Sequence, residues 1–352
     1  MSRRALTVTV TSVLLVVLAS VAWMLPVPYV AMSPGPVENV LGDAGKKPVI
    51  EIDGYEVHEA SGRLDLTTVS ATPASRKLGL LEALQGWADS EIAVVPREYL
   101  YPEGQTPQQV DEVNAELMDA SQHHAVAAAL RLAGKDVEPA VAVMAVLEGA
   151  PAQGRLKAGD LITAVDGKPM KKPSDVQRAV GSKGPDTQVR FDVRRDGKPR
   201  KVTVTTEKSD EDPDSGVVGI QVETGYAYDG EVTINISDQI GGPSAGTVFA
   251  LGIYDKLVDT DLTNGEHVAG TGTIDADGRV SPIGGIQQKV AGARAEGATV
   301  FLVPAANCSA AAALGAEGIR LIEVRTLQGA VRALEQLQQG NEAKVPTCEA
   351  SS

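Results

Sequence analysis

The segment Gly241-Gly242-Pro243-Ser244-Ala245-Gly246 lies between the alternating run Glu231 to Ile236 and the apolar run Thr247 to Tyr254. The first run predicts a strand and the second a helix, so a serine stands at a glycine-rich strand-to-helix turn. Backbone N–H groups at a helix start lack intrahelical partners, and the dipole there favours negative charge. Glycines let such groups, here near Gly242 and Ser244, crowd a developing oxyanion. These features suit Ser244 as a nucleophile. They suit equally a serine that caps the following helix, and the segment alone leaves both readings open.

Downstream, Gly278-Arg279-Val280 leads through Pro282-Ile283-Gly284-Gly285 into a helix expected from near Ile286. Its inward stripe is Ile286, Lys289, Val290 and Ala293, at helical spacing. Lys289 thereby falls on the apolar face. Burial disfavours an ammonium and lowers its pKa, which a lysine needs to accept a proton from serine near neutral pH. A lysine that snorkels to water is the other reading of this position. His267, at an expected helix-to-strand turn, is the alternative base; a histidine-based esterase would need it beside Ser244.

Taken together, Gly242-Pro243-Ser244-Ala245-Gly246, Thr271-Gly272-Thr273-Ile274, Gly278-Arg279-Val280, Pro282-Ile283-Gly284-Gly285-Ile286, Lys289, Gly297 and Val300-Phe301-Leu302-Val303-Pro304 resemble the proteolytic domain of the Lon family of Ser-Lys proteases. The resemblance implies Ser244 as nucleophile, Lys289 as general base, Thr271 as a support that helps hold the lysine, and a hexameric ring as the active assembly. Two features depart from the family. Gly241 stands where ATP-driven members often carry an acidic residue, and the ATPase module is missing. The implied substrates are therefore peptides or protein segments already unfolded or flexible.

A second unit precedes this one. Val141 to Val146, Gly149-Ala150-Pro151-Ala152, Gly154 to Asp160, Leu161 to Val165 and the turn Asp166-Gly167-Lys168-Pro169 are followed by a short helix, Ser174 to Val180. Two alternating strands, Val189 to Arg195 and Val202 to Thr205, join at Asp196-Gly197. This pattern resembles a PDZ domain. The resemblance implies a peptide ligand added to a strand edge beside the helix, with Val141, Val143 and Val176 as expected contacts; a PDZ-like spacer without ligand is the alternative. Anchor, PDZ and Lon-type domain in this order look like the membrane-anchored PDZ–Lon proteases of bacteria.

The N-terminal stretch Ala5 to Leu25 carries no charge and follows Arg3 and Arg4. At about 1.5 Å per residue it is long enough to cross a bilayer core of roughly 30 Å. The expectation is a single-pass anchor through residues 5–25, with a cytoplasmic N-terminus and an extracytoplasmic catalytic domain. A signal peptide cut after Ser20-Val21-Ala22 is the alternative. In such a compartment Cys308 and Cys348, the two cysteines, are expected to pair; two free or buried thiols are the alternative.

Across its 352 residues the chain has 32 basic and 46 acidic residues, a formal charge of −14. A phosphate-backbone binder needs a basic face, so nucleic acid is not an expected partner. Four histidines without HExxH spacing predict no metal site, and no GxxxxGK[ST] motif is present, which argues against a nucleotide and leaves no expected cofactor. The fold class expected is a multidomain α+β chain. Its parts are a stub and transmembrane helix (1–28), a mixed α/β region (29–134) without evident chemistry, a β-rich PDZ-like domain (135–206), a linker (207–216), a Lon-type α/β proteolytic domain (217–340) and a tail (341–352). The expected function is a membrane-anchored, ATP-independent serine endopeptidase whose PDZ domain recruits or gates substrate. The alternative is an idle PDZ adaptor, a pseudo-protease.

Overall fold

The computed structural model describes residues 3–102, 104–195, 197–210, 212–237, 240–315 and 318–348. Asp196 of the expected PDZ turn, Glu211 of the linker and the last four residues of the tail lie outside the described residues.

The chain opens on α1 (Arg3–Met24). Thr7, Thr9 and Thr11 turn their hydroxyls back to the carbonyls of Arg3, Ala5 and Thr7. Among the described residues no helix is long and apolar enough to cross a membrane. The expected transmembrane helix is therefore corrected. The single-pass placement, the bilayer contact of residues 5–25 and the extracytoplasmic catalytic domain inferred from it fall with it.

Residues 29–134 supply β1 (Tyr29–Asn39), β2 (Ile50–Asp53), β3 (Arg63–Ala71), α2 (Leu80–Ala88), β4 (Ala93–Pro96) and the long α3 (Pro107–Leu132). Thr106 caps α3, accepting from the Gln109 amide, with Pro107 at the first helical position. The PDZ-like region holds β5 (Val137–Val146), β6 (Leu161–Val165), α4 (Pro173–Gly181), β7 (Gln188–Arg195), β8 (Lys198–Thr205) and β9 (Ile220–Tyr228). The remainder is β10 (Glu231–Ile234), α5 (Gly246–Leu257), β11 (His267–Gly270), α6 (Ile286–Ala295), β12 (Val300–Pro304), α7 (Cys308–Ala312), β13 (Arg320–Val324) and α8 (Leu327–Gln338).

One sheet runs β13-β12-β11-β3-β1-β4. The strands β13, β12, β11 and β3 are parallel, and β1 lies antiparallel between β3 and β4. Parallel strands are covered on both faces, and β12 is buried at every position. Its side chains alternate: Val300 and Leu302 enter a core with α3, α5 and α8, whereas Phe301 and Val303 enter a second core with α6 and α7. Residues 29–134 and the C-terminal third therefore share one sheet and one core, in which Leu64, Leu66 and Leu130 pack with Val248 and Phe249.

The PDZ sheet runs β8-β7-β6-β5-β9, entirely antiparallel. It closes on a core of its own that includes Val141, Val143, Ile162, Val176, Phe191 and Val204. Its last strand, β9, comes after the acidic segment 207–216 and pairs with β5 from Val146 back to Val137. That segment is a small hairpin in which Glu207 and Lys208 face Val217 and Gly216. Asp212 shapes its turn by accepting from the Asp214 amide. Inside the PDZ sheet, Arg195 grips the fully buried Asp160 through two nitrogens, at 2.6 and 2.7 Å.

Candidate active site

Gly242 has φ of 83°, a left-handed conformation that favours glycine. It turns the chain into a short 3-10 turn, Pro243–Ala245, that carries Ser244 directly before α5. No side chain caps α5. The Ser244 hydroxyl lies 3.0 Å from Lys289 Nζ. Lys289 sits on α6 with Ile286, Val290 and Ala293, and all four are buried. Its exposure is 4%. Burial pulls its pKa from the usual 10.5 down to about 7. Nζ also reaches the carbonyl of Thr67 on β3. As a neutral amine it can give one N–H to that carbonyl and turn its lone pair to the serine proton.

Thr271 is buried beside the turn, but its hydroxyl donates to the Ser244 carbonyl at 3.0 Å rather than to the lysine. The amide of Gly272 donates to the same carbonyl at 2.8 Å. Thr271 thus holds the nucleophile's backbone, and the acceptor that holds the lysine is Thr67. The Gly242 amide, expected in an oxyanion hole, donates to the carbonyl of Asn114 on α3 at 2.9 Å. In this conformation it is committed to the helix. Ser121 on α3 fixes the same turn through a bond from its hydroxyl to the Pro243 carbonyl, 2.9 Å. Thr67, Asn114 and Ser121 belong to the region that shows no chemistry in its sequence.

His267 pairs at 2.6 Å with the fully buried carboxylate of Asp65, which also binds Arg63. The described contacts of the Ser244 hydroxyl thus join it to the lysine and not to this histidine. Cys308 and Cys348 form a disulfide with Cα atoms 4.9 Å apart. Among the described residues no group of acidic, histidine or cysteine side chains could hold a metal.

In the PDZ sheet, Val141, Val143 and Val176 have exposures of 0, 1 and 2%. The strand bearing the first two is paired on both sides. Val141 and Val143 line no open edge, because the returning β9 takes the place beside β5 that a ligand would need, and Val176 on α4 is buried in the PDZ core. The open edge belongs to β9. Just before it, the amides of Val218 and Gly219 donate to no acceptor among the described residues, while their carbonyls accept from Ala152 and Leu147. Gly219 has φ of 68°. Successive amides in such a turn make an anion-binding concavity.

Residues 128–206 match the PDZ domain family, and residues 237–333 match the C-terminal proteolytic domain of the Lon protease (S16). Lon protease 2 of Bacillus subtilis is 36% identical over 101 residues, 29% of this chain and 18% of the relative. The periplasmic pH-dependent serine endoprotease DegQ of Escherichia coli is 31% identical over 117 residues, 31% of this chain and 26% of the relative. The Lon protease of Roseiflexus castenholzii is 44% identical over 66 residues, 19% of this chain and 8% of the relative. The matched part thus spans about a quarter or less of each relative's length. The chain joins a PDZ domain to a proteolytic domain of the Lon type.

Proposed function

We propose that the protein is a serine endopeptidase that works through a Ser244–Lys289 dyad without nucleotide and cuts unfolded or flexible protein segments. The observation that carries this reading is the 3.0 Å contact between the Ser244 hydroxyl and a buried amine whose pKa is lowered to about 7. Ser244 Oγ attacks the peptide carbonyl while its proton passes to Nζ. Lys289 returns that proton to the leaving amine. A water then attacks the acyl ester, gives its proton to Nζ, and the serine regains it. The bond from Thr271 to the Ser244 carbonyl keeps the nucleophile in place through both steps. The PDZ domain recruits or gates the substrate.

A second reading, an idle PDZ adaptor, is favoured by one observation, the engagement of the Gly242 amide by Asn114. Treatment of the purified chain with a fluorophosphonate separates the two. The peptidase reading expects one adduct by intact mass, located at Ser244 and absent from Ser244→Ala. Unmodified native protein after prolonged exposure would favour the adaptor.

A further inference from the structure

The open edge of β9 leads to a cavity of about 720 Å³ with walls from three parts of the chain. One wall is Lys171 and Lys172 at the start of α4, a second is Thr224 and Tyr226 on β9, and the third is α3 with the 275–277 turn. His124 stacks edge-on against Tyr226, and the Arg131 guanidinium lies over the same ring. The PDZ edge therefore does not run out into solvent at Tyr226 but meets a helix and a turn from outside its own sheet.

The charges in the cavity are unevenly satisfied. Asp277 is held by Arg131 at 3.3 Å and by Arg279 at 3.4 Å, and Asp275 by Arg279 at 3.4 Å. Asp175, near the start of α4, accepts from the Lys171 and Lys172 amides and pairs with Arg178. The ammonium groups of Lys171 and Lys172 have no carboxylate partner among the described residues. Lys171 and Lys172 thus line the cavity as its unpaired cations among the described residues, across from Asp275 and Asp277, which are held by arginines.

We propose that this composite cavity receives the upstream part of a peptide whose C-terminal carboxylate sits on the Val218 and Gly219 amides, and that it selects acidic residues there. The proposal rests on reading β9 as the ligand-binding edge. A chain lying antiparallel to β9 at about 3.4 Å per residue passes Ile220 and Val222 and reaches Thr224 to Tyr226 about four to six residues before its end. At that point its side chains meet Lys171 and Lys172. Unpaired charges at such a rim set specificity and salt dependence.

The test uses the full chain carrying Ser244→Ala, so that ligands stay intact. Fluorescein-labelled ten-residue peptides with one apolar C-terminal sequence carry two glutamates or two lysines at the fifth and sixth positions from the end. Fluorescence anisotropy at low salt is expected to give about tenfold tighter binding of the acidic peptide. Adding Lys171→Ala with Lys172→Ala should bring the ratio near one, and Lys171→Glu with Lys172→Glu should reverse it. C-terminal amidation should weaken both peptides. Equal binding of acidic and basic peptides, with amidation still harmful, overturns the cavity's selectivity and leaves the PDZ reading standing. Binding indifferent to amidation, or no binding at all, overturns the PDZ reading and the proposal with it.

Discussion

Lys289 Nζ donates to the carbonyl of Thr67, a residue 222 positions earlier in the chain. The bond ties the candidate base on α6 to β3, the strand beside β11 in the shared sheet. A proteolytic unit cut out at residue 217 would lack that acceptor and the strands β1, β3 and β4. The N-terminal region is therefore part of the site's frame.

Lys289 should leave a signature in stability as well as rate. Its folded pKa of about 7 lies below the ordinary 10.5. Between those values the unfolded chain binds a proton that the folded chain does not. Stability therefore falls as pH drops from about 10 to 7, by at most roughly 1.4 kcal/mol per pH unit, and is level below. Lys289→Met should abolish this slope. Parallel urea-unfolding curves for native and variant protein from pH 7 to 9 would contradict the buried, neutral amine.

Asp255 on α5 is a second buried group under strain of burial. Its Oδ1 accepts from the Leu262 amide at 2.7 Å, and its Oδ2 has no partner among the described residues. Burial raises its pKa from 3.8 to about 6. The folded state thus holds a proton longer than the unfolded state, so stability falls as pH rises from about 4 to 6 and stays lower above. Asp255→Asn keeps the bond to Leu262 and removes the charge. At pH 7 it should stabilise by about 1–2 kcal/mol, read from the urea midpoint; a loss of stability there would contradict the assignment.

The Cys308–Cys348 disulfide holds the tail against the sheet edge, where the Cys348 amide donates to the Leu321 carbonyl and Thr347 pairs with Ile322. Closing a loop of this size stabilises by about 3–4 kcal/mol in the chain-entropy account. Cys348→Ser should lower the unfolding free energy by that order and make the tail after Val345 sensitive to protease. An unchanged melting temperature would argue that the tail holds without the bond.

In the PDZ domain, Asp160→Ala should be far more damaging than its distance from any groove suggests. It strands the Arg195 guanidinium, whose side chain is 15% exposed, beside an empty site. Loss of one partner of a buried pair costs about 3–5 kcal/mol. Early loss of the PDZ domain, with the proteolytic domain still folded, is the expected result by limited proteolysis; a native digestion pattern would rule it out.

The two recognisable domains were legible because their evidence is local. The 149–169 pattern of turns and apolar positions marks the PDZ domain, and the spacing of Ile286, Lys289, Val290 and Ala293 marks a helix face that is buried. Two kinds of information were not local. The return of β9 across a hairpin to pair with β5 is a long-range choice between sheet edges, and it moves the open edge away from Val141 and Val143. Thr67 and Asn114 act through backbone carbonyls, which every residue type carries, so residue identity gave no sign of them. The membrane expectation rested on the absence of charge between Ala5 and Leu25, and among the described residues no helix is long and apolar enough to cross a membrane.

The most direct test of the central claim is the pH dependence of kcat/KM for cleavage of an unfolded protein, measured for native protein, Ser244→Ala and Lys289→Arg. A lysine with a pKa of about 7 must lose its proton to serve as base, so the native rate should rise about tenfold per pH unit below pH 7 and level above it. Arginine stays protonated and cannot accept the serine proton, so Lys289→Arg should be as inactive as Ser244→Ala at every pH. A native-like rate in Lys289→Arg, or activity surviving in Ser244→Ala, would contradict the dyad.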